Sequence, residues 1–339
     1  NKSFVSLKIS SKYVIIIISL SERSIIMGDM TLWMYVGFLL AAYSVIWNDS
    51  IQTLGTFIAS NGKKFKWQYL WGAASAVLIF TILHSWVGTG DISHGRLAKI
   101  PFVQVQWYHA MAPLILVFLT RYGIPVSTSF LVLSAFASKL VMTKMLTKSM
   151  LGYAVAAVVA YVLWLAITKF FKEEKPIAPE HETRWRVAQW CTTGFLWYTW
   201  LAHDMSNIAV FLPRKVTPPL LVFVIATLVA GLAYIFWKRG GKIQQVVLEK
   251  SHTSYVKSAT FIDLVYALLL LYFKQYNNIP MSTTWVFVGL LCGRELAMAT
   301  IRKDYELKEV FPLVLRDFLK ILFGLAISVG IALSIHHWF

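Results

Sequence analysis

The tetrapeptide Pro125-Val126-Ser127-Thr128 and its near-twin Pro280-Met281-Ser282-Thr283 each follow an aspartate at one fixed distance: Asp49 to Ser127 and Asp204 to Ser282 are both 78 residues. The same pair of polar interruptions, repeated within 339 residues, points to two homologous halves. The residues around them say where those halves reside. Hydrophobic residues make up 58% of the chain and charged residues 14%, far from the balance of a soluble domain. Apolar stretches recur at about 31–47, 67–87, 102–120, 124–138, 149–171, 187–202, 217–237, 258–274, 281–293 and 311–335. They predict roughly 10 to 12 membrane spans. Fourteen Trp and fifteen Tyr are consistent with belts at the two membrane interfaces, where amphipathic rings favour the headgroup level.

The net charge of +16 does not point to nucleic acid, because the basic residues sit in short loops between apolar runs. A bias of Lys and Arg towards cytoplasmic loops and anionic lipid accounts for them. Lys63, Lys64 and Lys66, then Lys139, Lys144 and Lys148, then Lys238, Arg239, Lys242, Lys250 and Lys257 are the candidates for such loops. Cys191 and Cys292 both lie in apolar surroundings and read as buried small hydrophobes rather than a disulfide or metal pair. Residues 1–30 form an N-terminal extension whose apolar run Tyr13–Leu20 is too short to span; it is either upstream of a start at Met27 or Met30 or a peripheral segment. A polar linker at 171–186 separates 31–170 from 187–339.

Each half presents its polar knots in the same order. The first knots are Trp47–Gly55 and Ala202–Pro213; the second are Gly123–Ser129 and Asn277–Trp285. An aspartate within an apolar segment is costly unless it faces protein, water or an ion. Proline lacks an amide hydrogen and suits a first helical turn, while the following Ser or Thr can satisfy free N–H groups. The knots therefore predict helix ends inside the membrane, where N–H groups and helix dipoles can hold an anion. The alternative for any one of them is an ordinary turn at the membrane surface.

Individual residues carry two readings each. Asp49 and Asp204 suit cation ligation, for sodium or a proton, or alternatively helix capping as neutral acids. Ser127, Thr128, Ser129, Ser282, Thr283 and Thr284 offer neutral hydroxyl donors to a tetrahedral oxyanion, or else helix caps and interhelical contacts. Asn48, Gln52 and Asn207 can donate to an anion while accepting from neighbours. His203 is either a hydrogen-bonded interior residue or a group linking transport to pH. Arg294 and Glu295 can pair locally or line a vestibule. His84, Asp91, His94, Arg96 and His109 resemble metal ligands by type, but their spacing fits no compact tetrahedral set and 88–100 reads as a connection between spans. No phosphate-binding GxxxxGK[ST] stretch is present, which argues against a built-in ATPase.

Through these knots the chain resembles the inorganic phosphate transporter (PiT) family, which includes bacterial sulfate permeases. The family carries a GANDxAN-type signature and a later P-x-S-T-T/S segment in each half. Asn48, Asp49 and Gln52 correspond to the first signature, and His203, Asp204, Asn207 and Ala209 to the second. Pro125, Ser127, Thr128 and Ser129 match one later segment; Pro280, Ser282, Thr283 and Thr284 match the other. Bulky residues precede Asn48, Gln52 replaces an Asn, and His203 stands where Asn is usual. The resemblance implies an all-α polytopic membrane protein of two inverted-topology repeats with discontinuous helices. It also implies phosphate or sulfate import without an organic cofactor, coupled to sodium or protons, by a homodimer in a plasma or bacterial inner membrane.

Overall fold

The computed structural model describes residues 30–121, 126–171, 177–240, 256–301 and 307–338. The N-terminal extension up to 29, Pro125, residues 172–176 of the 171–186 linker and the basic loop 241–255 lie outside the described residues, as does the side chain of Asn48; from Pro179 onward the linker region is already helix. Helices account for the architecture: α1 Leu32–Ser44, α2 Ile51–Asn61, α3 Trp67–Thr89, α4 Trp107–Arg121, α5 Lys139–Phe171, α6 Pro179–Asp204, α7 Ser206–Ala209, α8 Pro218–Trp237, α9 Val256–Tyr276, α10 Thr283–Ile301 and α11 Leu307–Trp338. Five-residue π turns occupy Val45–Asp49 and Ser129–Leu133, and no strand occurs among the described residues.

Six helices, α3, α5, α8, α9, α10 and α11, are long and apolar enough to cross a membrane. α1 and α4 are shorter apolar helices. The number of long spans thus falls below the sequence expectation, because several apolar stretches fold as short helices and turns. The stretch 124–138 contains a π turn followed by non-helical residues rather than a span. The chain is an integral, all-α membrane protein.

The first knot of the first half keeps its helical backbone, whereas that of the second half stays helical past Asp204 only to Ala209. Ser50, after the π turn, and Met205, after α6, both hold right-handed helical dihedrals. A π turn inserts one extra residue and re-aims the side chains beyond it while most backbone groups stay paired. At the second knots the helix does begin anew. Residues 277–282 are non-helical before α10, so Pro280 lies ahead of the helix rather than in its first turn.

The halves interleave. Within the first, α1 packs on α4; within the second, α6 packs on α9. Between them, α5 lies along α10, the π turn at Ser129–Leu133 lies against α11, and α3 packs on α8. Tryptophan indoles fasten these contacts: Trp71 Nε1 donates to Val229 O at 3.0 Å, Trp86 Nε1 to Val216 O at 2.7 Å and Trp197 Nε1 to Ala74 O at 3.0 Å. Trp164, Trp197 and Trp200 are fully buried, so part of the aromatic content serves the protein interior rather than an interfacial belt. Cys292 is buried as expected, but Cys191 is exposed on α6.

The closest helix contact involves no side chain on one partner. A Cβ on Gly289 would lie 2.3 Å from Tyr153 O, and one on Gly293 2.0 Å from Ala157 O. Small residues four apart let two helix backbones meet where lipid offers no hydrophobic drive to association. Gly293→Ala should therefore force α5 and α10 apart and cost about 1–3 kcal/mol, as overpacking does. Thermal unfolding in detergent should show a lower midpoint than wild type. Gly72→Ala, where no atom lies within 4 Å of the added methyl, should unfold like wild type.

Candidate functional site

The four knots, far apart in sequence, converge through crossed contacts. Gln52 Nε2 of the first knot in half one donates to Thr284 Oγ1 of the second knot in half two, at 3.1 Å. Reciprocally, Asp204 Oδ1 accepts from Ser129 Oγ at 3.5 Å and from Asn207 Nδ2 at 2.9 Å. Thr283 also neighbours Asp204. Phe130 and Trp285, each just past a second knot, stack with centroids 5.8 Å apart and planes at 25°. The site thus lies between the halves and takes residues from both.

Local structure explains the aim of each side chain. Ser127 Oγ accepts the N–H of Phe130 and Ser282 Oγ that of Trp285, each at 3.2 Å, so the two serines cap equivalent turns. Their hydroxyl hydrogens remain available to a further acceptor. The next residues, Thr128–Ser129 and Thr283–Thr284, then fall in the first helical turn, where backbone N–H groups have no intrahelical partner. That end of α10 carries the positive pole of the helix. Asp49 is buried at the end of its π turn.

Several buried polar atoms at this convergence have no hydrogen-bond partner among the described residues: Gln52 Oε1, Thr128 Oγ1, His203 Nδ1 and Asn207 Oδ1. An orphaned buried group costs about 1–3 kcal/mol, and such groups are few in native structures. Contributed by three of the knots, these atoms make the convergence the candidate binding site. Its chemistry combines hydroxyl and N–H donors with carboxylate and amide acceptors. That set can accept an oxyanion beside a small hard cation.

Sequence reasoning missed the groups that support the second knot. Arg96 is fully buried, not exposed in a loop. Its Nη1 donates to Asn277 O at 2.9 Å and to Ile279 O at 3.4 Å, while Nη2 lies 3.1 Å from His203 Nε2. Lys148, expected in a cytoplasmic loop, lies inside α5; its Nζ reaches Asn277 Oδ1 at 2.7 Å, Ile279 O at 2.9 Å and Asn277 O at 3.0 Å. Two cations thus hold the backbone that leads into Pro280 and Ser282. Tyr266 was missed as well; its hydroxyl donates to Thr283 O at 2.9 Å, and both Asp204 and Asp49 lie within its electrostatic reach. A Tyr or Lys in an apolar stretch carries no signal of its own in sequence.

His203 faces two neighbours with opposite demands. A guanidinium only donates, so Arg96 calls for a bare Nε2; Leu270 O, at 2.8 Å from the same nitrogen, only accepts and calls for Nε2–H. The first tautomer gives Nδ1–H as a donor to the site, and the second leaves Nδ1 as an acceptor. The other residues considered as metal ligands stand elsewhere. His84 contacts Tyr198 at 3.0 Å and His109 accepts from Gln106 N at 3.0 Å. In the connection after α3, burial first and then Lys274 push His94 down to about 4, so its ring is neutral at physiological pH. Arg294 and Glu295 pair with each other at 2.9 Å.

No protein-family model matches the sequence, and a search of curated proteins finds no match either. Among solved structures, "The sodium-dependent phosphate transporter" superposes with a TM-score of 0.59, at 16% sequence identity, over 91% of this chain and 98% of that one. The chain has the fold of that transporter. The all-α polytopic membrane fold that the family resemblance implies is thereby borne out.

Capping and orphaned hydroxyls should respond oppositely to removal. Ser282→Ala is expected to lose about 1 kcal/mol of stability with its cap. Thr128→Val, which deletes a hydroxyl without a protein partner, should leave the thermal midpoint unchanged or raised. Unfolding of both variants in one detergent checks the pair; equal losses would make Thr128 structural.

Proposed function

We propose that this protein is a secondary active transporter of inorganic phosphate, driven by sodium or proton entry, and a divergent member of the inorganic phosphate transporter family. The observation that carries this reading is the crossed pairing of Gln52 with Thr284 and of Ser129 with Asp204, surrounded by orphaned polar atoms. The shared fold with a sodium-dependent phosphate transporter supports it.

In this reading the two halves are inverted-topology repeats, 31–170 and 187–339, and alternating access arises as one moves against the other about the site. Thr128, Ser129, Thr283 and Thr284, with Ser127 and Ser282 at the caps, donate to the oxyanion without a lysine to trap it. Asn48, Gln52, His203 and Asn207 complete its shell. Asp49 and Asp204 hold the coupling cation, for which carboxylate and hydroxyl oxygens are suitable ligands. Phosphate is favoured over sulfate because protonated phosphate can donate to an acceptor such as Asn207 Oδ1, whereas sulfate has no proton to offer. The working unit is a homodimer in a plasma or bacterial inner membrane.

Uptake of labelled phosphate and labelled sulfate into proteoliposomes, with sodium and proton gradients imposed separately, tests the proposal. Phosphate should accumulate above equilibrium under one gradient, and Asp204→Asn should abolish accumulation. Accumulation of sulfate alone would reassign the substrate. Entry that ignores both gradients and stops at equilibrium would make the protein a channel.

A further inference from the structure

A second buried carboxylate stands apart from the four knots. Asp263 on α9 is fully buried, and both of its oxygens accept from hydroxyls: Oδ1 from Thr56 of α2 at 2.8 Å, and Oδ2 from Thr193 of α6. No cation contacts it among the described residues. An intramembrane acid is costly unless it serves a purpose.

From Thr193 a single file of side chains leads to the protein surface. Gln189 Nε2 donates to Thr193 Oγ1 at 3.2 Å, and Asn61 Nδ2 donates to Gln189 Oε1 at 2.7 Å. Asn61 Oδ1 in turn accepts from Arg186 Nη1 and from Trp190 Nε1, both at 3.1 Å. Arg186 then pairs with Glu182 at 2.7 Å, and Glu182 with the exposed Lys64 at 2.9 Å. Every donor in the file points from Arg186 towards Asp263. Such an aligned chain suits an ionised carboxylate at its inner end.

We propose that Asp263 is a proton-binding site of the transport cycle and that this chain reports its occupancy to the α2–α6 contact at the surface. The proposal rests on the transport reading and assigns the proton as a coupling ion. A proton is the cation that fits, because it needs neither a coordination shell nor space among groups already in hydrogen-bond contact. A proton arriving on Oδ2 makes that oxygen a donor to Thr193 Oγ1. When the Thr193 hydroxyl turns to Gln189, that amide flips to present its oxygen; its nitrogen now faces Asn61, whose amide flips too and gives up its bond to Phe57 O at 3.0 Å. Asn61 Nδ2 then meets the N–H groups of Arg186 and Trp190, donor against donor, so both lose Asn61 while Arg186 Nη1 keeps its bond to Ser60 O at 3.0 Å. The file thus has two discrete orientations, selected by one proton.

The charged groups on the elements around Asp263 do not pre-empt this role. On α6 they are Glu180, His181, Glu182, Arg184 and Arg186 towards the outer end of the file and His203 and Asp204 in the anion site. α2 contributes none. On α10 Arg294, paired with Glu295, reaches Ser258 Oγ at 3.3 Å. On α5 Lys148 is held by Asn277 and Ile279, while α9 itself carries Lys257 and Lys274.

Two measurements on the full chain test the proposal. Infrared difference spectra of purified protein, taken across pH without substrate, should show a protonated-carboxyl band that is missing in Asp263→Asn. In proteoliposomes that variant should keep phosphate–phosphate exchange but lose accumulation under a proton gradient. Gln189→Leu, which cuts the file and spares the carboxylate, should keep the band and move its midpoint upward by about one pH unit. It provides the reading if Asp263→Asn does not fold. A band that survives in Asp263→Asn, a midpoint unmoved in Gln189→Leu, or wild-type accumulation indifferent to the proton gradient would overturn the proposal. A band that behaves as expected in a protein that moves no phosphate would instead overturn the transport reading and leave the proton site standing.

Discussion

The direct backbone contact between α5 and α10 fixes the geometry on which the site depends. In a bilayer, apolar side chains gain little by leaving lipid for one another, so association depends on close packing and hydrogen bonding. Gly289 and Gly293 supply the close packing by letting α10 rest on the carbonyls of Tyr153 and Ala157. Gly152 continues the seam from the α5 side, beneath Val286 and Met281. One turn further on, Ser149 Oγ accepts the N–H of Ser282 at 2.8 Å. The seam therefore runs directly into the cap that sets Thr283 and Thr284, and helix packing becomes donor placement at the site.

Polar groups within the membrane fall into two kinds here. Those that maintain the fold are satisfied by the protein: Ser127 and Ser282 by helix N–H groups, and Arg96 and Lys148 by backbone carbonyls. Those at the junction of the halves are left partly unsatisfied, at Gln52, Thr128, His203 and Asn207. The second kind destabilises the protein by itself, since unpaired buried groups lose water without gaining a partner. Such a cost is tolerated where a ligand repays it.

Much of this was legible in the sequence, and the residues show why the rest was not. The equal spacing from Asp49 to Ser127 and from Asp204 to Ser282 could be read because spacing along the chain does not depend on tertiary neighbours. Which knots would touch could not, since the pairings of Gln52 with Thr284 and Ser129 with Asp204 are crossed between halves and come from tertiary packing. Asp263 sits singly in an apolar run, and only its threonine neighbours on other helices give it meaning. Lys148 belongs by sequence to a basic cluster, yet the carbonyls of Asn277 and Ile279 draw it inside. The first knots were expected to end helices; at Asp49 a π turn redirects the side chains while keeping the backbone helical.

The placement of the two buried cations completes the electrostatic logic. Arg96 and Lys148 spend their hydrogen bonds on neutral carbonyls at 277 and 279, which anchors the segment but leaves their charge uncancelled by those partners. A lysine or arginine in contact with a dianion forms a short, charge-assisted bond that slows release. One step back from contact, the same charge acts only through distance. Neutral hydroxyls then supply the directional contacts, and those exchange readily with water. In the proposed transport reading, binding strength and release rate fall to different residues, the first to Arg96 and Lys148 behind the knot and the second to Thr283 and Thr284 within it.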